Sequence, residues 1–169
     1  MPIRIFLTMI SCMFLVSSCH FKTRQEALQL NNTIVAVNDS LYFMGREFGS
    51  LINESYQSKD FSRIRSFRTG FEKFLDSSKK SMMELKDVGG SEPLRNCEIE
   101  LLKIEQQMIR QDFVPFEQLS PASTGSEISY LFDNVQKDAK EESRQMKEFK
   151  RLQEEYALKN GFTLRGNIK

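Results

Sequence analysis

Residues 30–51 read "LNNTIVAVNDSLYFMGREFGSL", and the spacing of their apolar side chains decides the fold. Leu30, Ile34, Val37, Leu41, Met44, Phe48 and Leu51 follow one another in alternating steps of four and three. A chain turning every 3.6 residues lines such positions up on one face. A strand would need apolar residues at every second position instead. The stretch is therefore an amphipathic helix.

The same period recurs downstream. A second stripe runs through Phe61, Ile64, Phe67, Phe71, Phe74, Leu75, Met82 and Leu85, and a third through Leu94, Cys97, Leu101, Ile104 and Met108. The fourth takes in Ile128, Leu131, Phe132, Val135, Ala139, Met146, Phe149, Leu152 and Tyr156. Turn chemistry separates them. Asp60 is placed to N-cap the second helix, Gly89 and Gly90 to close it, and Ser91 to cap the third, with Pro93 in its first turn. Pro115 must end or kink the third helix. Thr124 and Glu127 have the spacing of a capping box for the fourth. Gly161 supplies that helix's left-handed end, with Phe162 folding back on Leu158. Four amphipathic helices of about 35, 28, 28 and 35 residues with short connections predict an all-α, antiparallel up-down-up-down four-helix bundle. The bundle is expected over 26–162, with a flexible basic tail over 163–169.

Ahead of the bundle, residues 1–18 divide as a lipoprotein signal peptide does. Arg4 supplies the positive charge, an apolar run follows, and "VSSC" at 16–19 closes it. The run is about a dozen residues, too short to cross a ~30 Å hydrocarbon core as a helix. Val16, Ser17 and Ser18 before Cys19 resemble a bacterial lipobox, in which the cysteine sulfur is acylated and the chain is cut before it. Cys19 is the predicted lipidation site and 19–25 a lipid-anchored linker. Cys12, preceded by Met9, Ile10 and Ser11, fits the pattern poorly.

Cleavage there would leave 151 of the 169 residues, a size for one domain that buries about 70% of its unfolded surface. Arg4 is the only charge lost, so 23 basic residues would balance 23 acidic ones. A neutral chain is a poor partner for nucleic acid, whose binding rests on clustered cations. One of the three cysteines would be removed and one acylated, leaving Cys97 as a lone thiol with no disulfide framework.

The chemistry of a catalyst is not in evidence. A di-iron bundle needs histidine ligands, and the single histidine, His20, stands beside the acylation point. Cys97 has no histidine in the body of the chain to activate it. Glu98, Glu105 and Glu142 lie near the stripes and read as solvated flanks. Met44, Met82, Met83, Met108 and Met146 are spaced as packing residues; a soft-metal site built from them is a weak third reading. No cofactor, metal or catalytic residue is expected. One candidate contact remains: "DFVPFEQLSP" at 112–121 gathers Phe113, Phe116 and Leu119 around Pro115. They either cap the far end of the core or form an apolar patch for a partner.

The last helix carries a resemblance. "QMKEFKRLQEEYALKNGF" at 145–162 is similar to the close of a bacterial surface-lipoprotein family of unknown function, first named from a spirochaete protein and common in Bacteroidota. Tyr156, Ala157, Lys159 and Phe162 fall on its "F-A-x-K-x-x-F"-like ending, and "LNNTIVAVNDSL" resembles its opening helix. Pro115 departs from the family pattern. The resemblance implies location and fold only, since the family brings no known activity or binding residue. Two functions are expected from these readings. The first is a lipid-anchored, non-enzymatic interaction or structural module of the outer membrane, touching envelope proteins or cell wall. The second is an inhibitor or immunity lipoprotein that binds a secreted toxin or lysozyme.

Overall fold

The computed structural model describes residues 2–164, with side chains from Thr23 to Leu164 apart from Asp138. It is all-helical among these residues: α1 spans Pro2–Ser58, α2 Ile64–Glu84, α3 Glu92–Gln111 and α4 Gly125–Asn160, with a short 3-10 helix at Val114–Gln118. Cys19 and the cleavage point before it lie outside the described side chains. The four stripes meet in one core. Ile34, Ile52, Ile64, Leu75, Met82, Leu94, Leu101 and Phe116 are all sealed from solvent. α3 packs extensively on both α2 and α4, whereas α1 touches α2 and α4 over less of its length.

α2 and α3 are shorter than their periodicity predicts, with 21 and 20 residues. At the start of α2, Asp60 accepts the Ser62 N–H at 3.0 Å within a turn, so the helix opens only at Ile64 and without a side-chain cap. At its end, Leu85 is already extended (ψ 131°), so Gly89 and Gly90 do not close α2. They form instead the left-handed turn that leads into α3, with φ of 60° and 78°. Ser91 stands at the cap position of α3 but does not cap it. Its hydroxyl accepts the Val88 N–H and donates to Asp87, and Asp87 accepts the Glu92 N–H at 3.1 Å. A carboxylate has acceptors to spare for this second bond.

α4 is bounded as its sequence predicts. Glu127 N–H bonds the Thr124 hydroxyl at 3.3 Å while the Glu127 carboxylate takes the Thr124 N–H at 2.7 Å. At the other end Gly161 is left-handed (φ 69°), and Phe162 and Gly161 donate to the carbonyls of Ala157 and Leu158, a Schellman closure. Phe162 folds back onto Tyr156, ring centroids 5.7 Å apart, and not onto Leu158, which is 82% exposed. Leu164 also packs on the core, so the tail does not leave the body at residue 163. The Tyr156 hydroxyl donates to the Val88 carbonyl at 2.8 Å, tying this end of α4 to the α2–α3 turn.

Candidate functional site

Pro115 sets up one end of the site. It lacks an N–H and clashes with the carbonyl four residues back, and α3 stops at Gln111 before the chain enters the 3-10 helix. That tighter turn brings residues three apart onto one side, so Phe113 and Phe116 both point inward. Phe113 stacks on Phe48 with centroids 4.0 Å apart, and Phe116 meets Phe48 edge-on at 5.3 Å and Phe132 at 5.1 Å. Outside, Glu117 clamps this segment to α2 through Arg65 at 2.8 Å and through Arg68. Arg68 also pairs with Glu72, which Arg110 of α3 reaches at 2.6 Å.

Of the two readings of 112–121, this geometry favours the cap on the core over the apolar patch for a partner at Phe113, Phe116 and Leu119. Phe116 is fully buried, Phe113 nearly so, and Leu119 is half-buried against the core. The side chains close the core and are not presented to a partner.

Beside this aromatic plug, α1, α3 and α4 leave a cleft of about 540 Å³. Its origin lies partly in α1. Gly45 and Gly49, one helical turn apart, both line it, and a Cβ at either would meet nothing within 4 Å. No other residue type would leave that wall so bare, and glycine costs about 1 kcal/mol relative to alanine inside a helix. α4 contributes through its middle: the cleft-lining Val135, Ala139 and Met146 are only half-buried, whereas Ile128 and Phe149 on either side are buried. Phe48, Phe71, Leu101 and Met108 complete an apolar interior.

Into this interior project two carboxyls, Glu105 of α3 and Glu142 of α4, close enough to act on one another. Burial pushes the Glu105 carboxyl well up, and the charge of Glu142 adds to it. Behind them Glu98 is wholly buried and accepts a 2.7 Å hydrogen bond from Asn38, a cleft residue on α1. Burial raises the Glu98 carboxyl to about 7, partly opposed by the Asn38 bond. Glu98 Oε1 and Asn38 Oδ1 are buried without a hydrogen-bond partner. Buried carboxyls in an apolar wall hold protons that exposed ones would lose, and such perturbed groups concentrate at binding and catalytic sites.

Glu98, Glu105 and Glu142 are thus not solvated flanks. The signal was present in the chain. Leu94, Glu98, Leu101, Glu105 and Met108 follow the same four-three steps as the apolar stripe, which sets both acids inside it. The α1 glycines, four apart within "MGREFG", carried a second signal.

Cys97 is buried next to the same region, accepting from the Gln145 side chain at 3.4 Å. Burial, and then the charge of Glu148, pushes its thiol up to about 11, so it stays protonated at neutral pH and is a poor nucleophile. Of the methionines considered as a soft-metal site, Met108 and Met146 line the cleft, while Met82 is sealed in the core and its neighbour Met83 is 66% exposed. Among the described residues no three His, Cys, Asp or Glu side chains are grouped to hold a metal, and no helix is long and apolar enough to cross a membrane. No protein family, curated protein or solved structure matches the chain.

Proposed function

We propose that this chain is a lipid-anchored lipoprotein of the bacterial cell envelope, whose helices act as a non-enzymatic interaction or structural module. The observation that carries the reading is "VSSC" at 16–19, behind an apolar run led by Arg4. Acylation at Cys19 supplies the membrane attachment, with an envelope protein or cell-wall component as partner and no role for nucleic acid. The resemblance at 145–162 to spirochaete-type surface lipoproteins agrees with this.

The helices run up-down-up-down in this reading. Two contacts support that topology. The end of α4 meets the α2–α3 turn through Tyr156 and Val88, and the start of α4 meets the end of α1, where Gly125 lies against the Tyr56 ring. The α2–α3 turn and the end of α4 then lie toward the membrane, and the 120–126 loop away from it. The balanced charge leaves the lipid as the main attachment; a single acyl chain binds reversibly and a second signal or chain makes it stable. Metabolic labelling with fatty acid tests the reading. The intact chain takes up label and fractionates with membranes, and Cys19→Ala loses both. Label retained by Cys19→Ala would overturn it.

A further inference from the structure

We propose that the cleft between α1, α3 and α4 binds a small hydrophobic amine, with its ammonium group between Glu105 and Glu142 and its apolar body against Phe48, Leu101 and Met146. This goes beyond the envelope reading and does not depend on acylation of Cys19.

Three observations converge. The first is volume: about 540 Å³ is the size of a pocket for a small organic molecule. The second is polarity. The interior is apolar except for one face, where both charged groups are carboxyls. The single basic lining residue, Arg46, is exposed at the mouth, with its guanidinium 5.8 Å from the Tyr42 ring centroid. Charge complementarity counts for more inside than at the wet rim, so the site favours a cation over an anion. The third is the buried hydrogen-bonding capacity left unused behind the pair, at Glu98 Oε1 and Asn38 Oδ1. Native interiors seldom leave such atoms unpaired. Of the two residues Asn38 lines the cleft, so an N–H donor seated at this wall has its Oδ1 as a waiting acceptor.

Without a ligand, two carboxyls in one apolar wall repel if both ionise, and a proton held between them relieves that. An ammonium group does the same work with its own charge. On binding, the proton leaves the pair for the buffer and the amine keeps its three N–H bonds for the carboxylates. The groups facing the pair are Glu98 on α3 and Asn38 and Arg46 on α1. None of them offers a buried cation that would compete.

The test compares three probes of one shape, 4-phenylbutylamine, 4-phenylbutanol and 4-phenylbutanoate, by calorimetry on the full-length chain. The amine is expected to bind with Kd below about 100 μM, the range reached by good ligands of its size. It should bind at least tenfold tighter than the alcohol or the acid, and at pH 6.5 it should release protons, read as a dependence of the heat on buffer ionisation. The Glu105→Gln/Glu142→Gln double variant should lower the amine to the alcohol's affinity while leaving the alcohol unchanged. Gly49→Leu, which puts a side chain into the open cleft, should weaken all three. Equal binding of the three probes, tightest binding of the acid, amine preference surviving in the double variant, or no saturation below about 1 mM would each overturn the proposal.

Discussion

Asn38 of α1 donates a 2.7 Å hydrogen bond to Oε2 of Glu98 on α3, joining two helices that otherwise barely touch. The bond spans 60 residues of chain. It anchors α1 to a helix with which it shares few other contacts, and it is made to a carboxyl that no solvent reaches.

Stability should fall as pH rises from 5 to 8. A carboxyl whose folded value is raised binds a proton in the native chain after the unfolded chain has lost its own, so stability drops with pH across that interval. Glu98 spans roughly 4.5 to 7, a cost on the order of 3 kcal/mol once it is fully ionised. Glu105 is raised in the same direction. Glu98→Gln should match the parent at pH 5 and exceed it at pH 8, measured by urea unfolding at both. Asn38→Ala should lose about 1–3 kcal/mol at either pH, because it leaves the acid without its donor. A flat profile in the parent would refute the burial of both acids.

Glu117 should show the opposite dependence. Hydrogen bonds from Arg68 and Arg65 hold its carboxyl below the ordinary range, so its contribution is present above the unfolded value and fades as pH falls through the folded one. Its side chain is only 6% exposed. Glu117→Ala should cost about 2 kcal/mol at pH 7 and much less near pH 3. Thermal scans at the two pH values would separate this ion cluster from the exposed pairs on α4, such as Arg144 with Glu141, which contribute little.

Phe116→Ala should destabilise by about 3–5 kcal/mol, and Phe113→Ala by a similar amount, since both open a cavity in a stacked aromatic core. Val114→Ala, at an exposed neighbour in the same segment, should change stability by less than about 0.5 kcal/mol. Denaturant midpoints decide the matter. If the two phenylalanine variants fold as stably as the parent, the segment is a surface patch after all.

Gly45→Ala should stabilise by about 0.5–1 kcal/mol, because the position is helical and the added methyl meets nothing. Gly161→Ala should cost about 1 kcal/mol for its left-handed backbone alone. Gly89→Ala should cost more than Gly161→Ala. It has the same backbone problem (φ 60°), and its Cβ would collide with the Asn160 side chain, which bonds the Gly89 carbonyl at 3.2 Å. Differential scanning calorimetry on the three variants gives the ranking directly.

The helical class and the close of α4 were readable from the residues alone. Leu30, Ile34, Leu41, Phe48 and Leu51 are buried as their spacing requires, and the Thr124–Glu127 box and Gly161 do what their types dictate. These are local matters of period and capping, settled within a few residues of chain. Helix ends that depend on side-chain competition were not readable. Asp60 turns to Ser62 and Asp87 takes over from Ser91 because more than one nearby N–H was available.

A stripe states which face of a helix is apolar, but not how far away the next helix stands. The spacing of Leu94, Glu98, Leu101, Glu105 and Met108 puts both acids on an apolar face, but it takes α1 and α4 across from them to close that face over their carboxyls. The cleft has the same origin. Gly45 and Gly49 are local facts, while the space they leave depends on Glu142, Met146 and Phe132 arriving from a helix about ninety residues later. Periodicity and caps are short-range and belong to the chain; burial of a charge and the shape of a cavity are long-range, and belong to the packing of helices against one another.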